Sequence, residues 1–326
     1  MNKYPWIIYQ YKDLIHKYYK NKLHPIILIQ SIIGIGTSQL IFNLSKWILC
    51  SNKKKYTNCN NCSSCLLFDK KNHPDFYNCD NFSKNKYIGI NIIRKIINNI
   101  YKTPQQGGAK IVYFPNINIF TTESDNALLK TLEEPPKNTI FFLRTTNITK
   151  IINTIKSRST LYYINYPKEK LSIPWLKNHN KYYSYIELLT ALRINNNSPI
   201  STHKFLNNYE FQKRNIFMQE IYAYVNKKKN NLLNIMLKYN SSIITKYVCY
   251  LLLDVIKYKI CKKYKIKNLD QIKLIKKIAY INNNQVLINN LISWTQYTQI
   301  LSSSYKIDKT SIFIELILSW MNILRI

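Results

Sequence analysis

Apolar positions follow two different rhythms along this chain. Through the first half, short unbroken apolar runs alternate with segments of helical period; from about Tyr209 onward only the helical period continues. Unbroken runs of strand length that are bounded by turn residues suit strands buried on both faces of a sheet. They predict strands at Pro25–Gln30, Asp75–Cys79, Ile111–Phe114, Thr139–Leu143 and Leu161–Ile164. Between them the pattern predicts helices over Thr37–Cys50, Ile90–Tyr101 and Ser124–Glu134, preceded by a surface helix over Tyr9–Lys20. Pro135-Pro136 stops the helix at 124–134, and Ala127, Leu128, Leu129 and Leu132 share one of its sides. Strand, helix, strand at this spacing is a βαβ unit, so the first fold-class expectation is α/β, a five-stranded parallel sheet with helices on both faces.

All five glycines (34, 36, 89, 107 and 108) lie in the first third, and the remainder reads as helical. Short helices are expected at Ser172–Lys177, Tyr183–Arg193 and Thr202–Leu206. Longer ones are expected at Phe211–Val225, Asn230–Lys238, Ile243–Tyr264, Leu269–Asn282, Gln285–Ser303 and Lys309–Ile326. Three domains are therefore expected: 1–165, a small helical domain over 166–208, and an all-α domain over 209–326. Trp294 and Trp320 belong to the core of the last. No apolar run reaches the roughly 18 residues of a membrane span, and the first residues have no signal-peptide core.

Charge changes this picture little. The 48 basic against 16 acidic residues leave a net charge of +32. Only six of the basic residues are arginines (94, 144, 158, 193, 214 and 325), and the lysines are spread rather than striped. A general bias toward Ile, Lys, Asn and Tyr accounts for that pattern, with weak, salt-sensitive contact to DNA as its by-product.

Four of the seven cysteines, Cys50, Cys59, Cys62 and Cys65, follow C-x8-C-x2-C-x2-C. Two C-x2-C steps place thiolates on one knuckle, and a fourth at a helix end closes a tetrahedron; this predicts a structural zinc module near residues 50–65. Lys53–Lys55 are expected to lower the thiol pKa values. Cys79, Cys249 and Cys261 read as ordinary buried residues, and His73 as a non-ligand. Clustered cysteines suit a reducing compartment.

Strand, Gly34-Ile35-Gly36 and helix form the setting of a phosphate-binding loop. Such a loop needs Lys and then Ser/Thr at its end; this one ends in Thr37-Ser38, and Ser31 stands where its first glycine belongs. The loss of the lysine removes the charge that holds the phosphates. Read alone, Gly34 and Gly36 permit a tight turn and close helix packing.

Asn126–Pro136 (NALLKTLEEPP) and Ser157–Ser159 (SRS) resemble motifs of the clamp loader proteins of bacterial DNA polymerase III, in particular their delta-prime family. The resemblance implies an AAA+ P-loop-type core, a helical lid over 166–208 and a collar over 209–326 that joins a hetero-oligomeric, five-membered ring. It implies a zinc module at the four cysteines. An active family site would carry Asp-Glu after the third strand and an arginine in the lid; here Pro115-Asn116 and Ile200 occupy those places. The implied role is a stator without ATP or ATPase of its own, in a DNA-directed DNA polymerase holoenzyme (a nucleotidyltransferase). It helps an ATP-driven complex load the sliding clamp on primed DNA. Implied partners are motor subunits of gamma/tau type and a delta subunit, in the cytoplasm at replication forks. Arg158, within the SRS motif, would be offered in trans to a neighbour's ATP site; taken alone it reads as an arginine salt-bridged at a strand start. Two other readings stay open, a zinc-containing nucleic-acid binder and a divergent active AAA+ ATPase.

Overall fold

The computed structural model describes residues 4–79, 87–226, 232–261, 265–302 and 308–324. The chain forms two compact units, Met1–Pro167 and Lys168–Ile326.

The first unit follows the order α1 (Ile8–Tyr19), β1 (Ile26–Ser31), α2 (Thr37–Leu49), α3 (Ser63–Asp69), β2 (Phe76–Asn78), α4 (Ile90–Ile100), β3 (Lys110–Phe114), α5 (Thr122–Glu133), β4 (Thr139–Thr145), α6 (Asn153–Ser157) and β5 (Thr160–Ile164). All five strands are parallel, in the order β2-β3-β4-β1-β5. The centre holds β1, β3 and β4, and their residues are almost all buried. That burial is why these segments read as unbroken apolar runs. One face of the sheet places Leu28, Val112, Phe114, Phe141 and Leu143 against Ile93 of α4 and Leu128 and Leu132 of α5. Each such fully buried side chain contributes about 1.5–3 kcal/mol.

Element limits differ from the sequence expectation where side chains cap. The α5 helix starts at Thr122 because the Thr121 side chain accepts from the Ser124 N–H. The β2 strand is shorter than predicted, although its flanks stay bonded: Ile111 N–H donates to Asp75 O and Cys79 N–H to Tyr113 O. Lys110 on β3 is buried, and its ammonium caps the end of α4 by donating to the carbonyls of Asn99, Ile100 and Lys102. Burial lowers its pKa.

The second unit contains α7 (Glu169–His179), α8 (Tyr185–Ile194), α9 (Pro199–Asn207), α10 (Glu210–Val225), α11 (Leu232–Leu237), α12 (Ser241–Ile260), α13 (Ile272–Ile281), α14 (Asn284–Ser302) and α15 (Lys309–Leu324). Among described residues it has no strand. Trp294 and Trp320 lie in its core, fully buried and edge to face at 6.1 Å. The predicted helix ends at Asn230, Tyr264, Ser303 and Ile326 fall outside the described residues. No helix among the described residues is long and apolar enough to cross a membrane.

Candidate functional site

The glycine loop sits at the C-terminal ends of β1, β3 and β4, where open parallel sheets bind ligands. Gly34 (φ 81°) and Gly36 (φ 91°) take left-handed conformations that side chains disfavour, and Gly36 is the N-cap of α2. The two residues that end the loop differ in exposure, Thr37 facing inward and Ser38 lying at the surface. Thr37 is buried with no hydrogen-bond partner for its hydroxyl, and Ser38 Oγ accepts from the Tyr113 hydroxyl at 2.9 Å. Trp6 Nε1–H donates to Ile35 O at 2.7 Å, which fastens the loop from the N-terminal side.

Arg144, at the end of β4, crosses this region. Its Nε donates to Ser31 Oγ (2.9 Å), its Nη1 to Pro115 O (3.1 Å), and its Nη2 to Ile32 O (3.3 Å) and Ser31 O (3.5 Å). One guanidinium thus ties the loop to the residue that follows β3. Asn116, next in line, accepts from the Asn118 N–H and caps the turn Ile117–Ile119. Neither Pro115 nor Asn116 has a carboxylate to offer a metal ion or a water. Ile200 lies in the first turn of α9, in the second unit.

Arg144→Met keeps the apolar stem and removes every donor. The bonds to Ser31, Ile32 and Pro115 are then lost, and stability is expected to fall by about 2 kcal/mol. Chemical denaturation checks the size, and faster amide exchange over residues 34–38 checks the place.

Arg158 caps the C-terminus of α6. Its Nη2 pairs with Glu133 Oε1 at 2.6 Å and its Nη1 donates to Thr154 O at 3.1 Å. About a third of the arginine side chain and half of the glutamate's stay in water.

The four cysteines converge. Cys50 follows the last turn of α2, Cys62 is the N-cap of α3, Cys65 lies in the first turn of α3, and Cys59 is in the loop between the helices. Their four Sγ atoms lie within 4.8 Å of one another, with separations of 3.5 Å (Cys50–Cys59) and 3.9 Å (Cys50–Cys62 and Cys59–Cys65). Tetrahedral sulfurs at about 2.3 Å from a metal ion would be about 3.8 Å apart. The set can therefore hold a metal ion. Backbone N–H groups of Cys59, Cys62 and Cys65 point at the sulfurs of Cys50, Cys59 and Cys62, each at 3.4 Å.

These N–H donors lead the effects that lower the Cys59 and Cys62 thiols, while the expected lysine contribution is seen as the Lys53 ammonium acting on Cys50. Desolvation raises the Cys62 thiol, but hydrogen bonds led by the Cys65 N–H outweigh it and bring the pKa down to about 6. Backbone N–H groups of Asn61 and Cys62 lower Cys59, whereas burial raises Cys50 and Cys65. The Lys53 ammonium donates to Ile48 O and lies over the Trp47 and Tyr18 rings. His73 is engaged elsewhere. Its Nδ1 accepts from the Asp75 N–H, which leaves Nε2–H to donate to Ser64 Oγ at 2.8 Å. Of the remaining cysteines, Cys79 and Cys249 are buried, while Cys261 is partly exposed at the end of α12.

Sequence reasoning did not find Arg144, Trp6 or Glu133. Arg144 carried one signal: it is one of six arginines in a chain that elsewhere uses lysine.

Residues 9–168 match the family described as DNA polymerase III, delta subunit, and residues 208–322 match DNA polymerase III, delta subunit, C terminal. The chain is 38% identical to DNA polymerase III subunit delta' of Buchnera aphidicola subsp. Schizaphis graminum (strain Sg), over 99% of this chain and 98% of that protein. The same subunit of Buchnera aphidicola subsp. Acyrthosiphon pisum (strain APS) is 36% identical, over 100% and 99% of the two chains. That of Yersinia pestis is 28% identical, over 98% and 96%. Agreement along essentially the whole length, across both units, means that the chain belongs to the delta-prime subunit family of DNA polymerase III.

Proposed function

We propose that this chain is a non-hydrolysing stator of a clamp loader, with no nucleotide of its own and with Arg158 serving a neighbour's ATP site. The observation that carries the first part is the Arg144 strut. Where a working site needs space and charge for a triphosphate, a guanidinium ties Ser31 and Ile32 to Pro115. The strut supplies from within the chain the cross-link that a bound nucleotide and its metal ion would otherwise make. Thr37 and Pro115-Asn116 remove the charges that would compete for that place.

In this reading residues 166–208 are the lid and 209–326 the collar of a five-membered hetero-oligomer. Motor subunits of gamma/tau type and a delta subunit complete the ring, which acts on the sliding clamp and primed DNA in the cytoplasm. Zinc is the ion that suits four thiolates with no open position, so the role of residues 50–65 is structural. DNA contact comes through the complex, with the general positive charge adding a salt-sensitive component.

The test is equilibrium binding of magnesium-ATP to the isolated chain, followed by assembly with the motor and delta subunits. No saturable ATP binding up to millimolar concentration is expected, together with clamp loading only when this chain is present. Micromolar, magnesium-dependent binding would sink the non-hydrolysing reading. Loading undiminished by omission of the chain would sink the stator.

A further inference from the structure

We infer that the second unit holds a binding site for a small, mainly apolar carboxylate, in a cavity bordered by α9, α10 and the start of α12. The cavity has a volume of about 310 Å³, at the lower end of the range for small-molecule sites. Phe205, Phe217 and Ile244 give it an apolar wall, and Tyr247 lies beside Phe217. An apolar enclosure of this kind favours a compact hydrocarbon or aromatic group.

Its charged lining specifies the other end of the ligand. Arg214 lines the cavity and is fully buried. Its terminal nitrogens are engaged: Nη1 and Nη2 hold the Asp270 carboxylate, and Nη2 also donates to Asn268 Oδ1 at 2.6 Å. The Nε–H of the same guanidinium has no acceptor in the protein. A buried donor on a charged group is costly to leave unmade, and an anionic oxygen satisfies it best.

The charge count agrees. Asp270 neutralises Arg214, and Glu210 offsets one of the two lysines on the lining, Lys213 and Lys246. One positive charge remains for one carboxylate. Lys246 is exposed on this lining, beside Glu210, and gives an entering anion a charged partner. Asn240, Ser242 and Ile243 place the N-terminus of the 20-residue α12 on the same lining, and its dipole favours the same sign of ligand.

Full-length chain is titrated with 3-phenylpropionate and with its neutral amide, followed by Ile methyl NMR at Ile244. The expected result is a saturable shift with the carboxylate and an affinity at least about tenfold weaker for the amide. Arg214 also holds Asp270, so its substitution would report folding first. Lys246→Gln and Ile243→Trp serve instead, since both positions are at least partly exposed. Lys246→Gln is expected to weaken the carboxylate about tenfold, and Ile243→Trp to block it by filling the cavity mouth. No saturable shift, equal affinity for carboxylate and amide, or indifference to both substitutions would overturn the proposal. None of these outcomes bears on the clamp-loader reading, which rests on the glycine loop, Arg144 and Arg158 of the first unit and on similarity along the whole chain.

Discussion

Arg158→Ala is expected to lower the DNA- and clamp-stimulated ATP turnover of a complex rebuilt with motor and delta subunits by about 10³-fold at the site it serves. An arginine delivered to a neighbour stabilises charge on the phosphoryl group in transfer, and its loss appears in kcat rather than in assembly. The resting geometry is compatible with that role. Arg158 is paired with Glu133, but both side chains remain substantially in water, so the pair holds it by no more than about 1 kcal/mol. A triphosphate with its metal ion offers a stronger partner, so the exchange is energetically open. The bond to Thr154 O keeps the head group near the end of α6 meanwhile.

Two companions make this result interpretable. Glu133→Gln keeps the shape and removes the resting charge, and is expected to change turnover by less than about tenfold. Arg158→Lys is expected to recover only part of the rate, because an ammonium cannot make the forked contact. Equal assembly by size-exclusion chromatography and equal metal content must accompany each comparison. Turnover unchanged in Arg158→Ala would leave the residue as the partner of Glu133 and nothing more.

The second large effect concerns the four cysteines. The paired change Cys59→Ser and Cys62→Ser is expected to take bound zinc from about one ion per chain to none, measured by elemental analysis. Cys79→Ser is expected to leave the ion in place, because Cys79 packs in the sheet core away from the four sulfurs. Binding of a structural zinc ion is worth about 10–16 kcal/mol in small zinc domains, and a loop without a core of its own depends on that energy to stay ordered. Order should therefore be lost over residues 50–65. Tethers limit the spread: Trp47 Nε1–H donates to Lys54 O, Tyr11 hydroxyl to Tyr56 O, and Ser64 hydroxyl to Leu49 O. Limited proteolysis should cut the variant between α2 and α3 while the far-ultraviolet circular dichroism of the sheet persists. Zinc content near zero in the unaltered protein would refute the assignment of the ion.

Sequence and tertiary structure divided the labour along a physical line. Whatever depends on neighbours along the chain was legible beforehand. The central strands announced themselves through unbroken apolar runs, since a strand buried on both faces has no polar side to show. The glycine turn was visible because left-handed backbone at Gly34 and Gly36 calls for that residue type. The cysteine spacing forecast convergence because three of the four sulfurs lie within seven residues of chain, from Cys59 to Cys65. The departures from a working nucleotide loop at Thr37, Pro115 and Asn116 were equally plain in the sequence, and the proposed loss of nucleotide chemistry rests on them.

What only the fold decided is who meets whom across long separations. Arg144 reaches Ser31 over 113 positions, Trp6 reaches Ile35 over 29, and Arg214 meets Asp270 over 56. No periodicity encodes such pairs, because they arise where parallel crossovers and packed helices bring distant segments together. The thiol acidity shows the same division on a small scale. The nearby lysines suggested one cause; the folded knuckle adds another by aiming backbone N–H groups at the sulfurs, while the Lys53 ammonium donates to a carbonyl and lies over two rings. Side-chain identity is written in the sequence. The direction in which a donor points, and therefore the charge it stabilises, is set by the backbone that carries it.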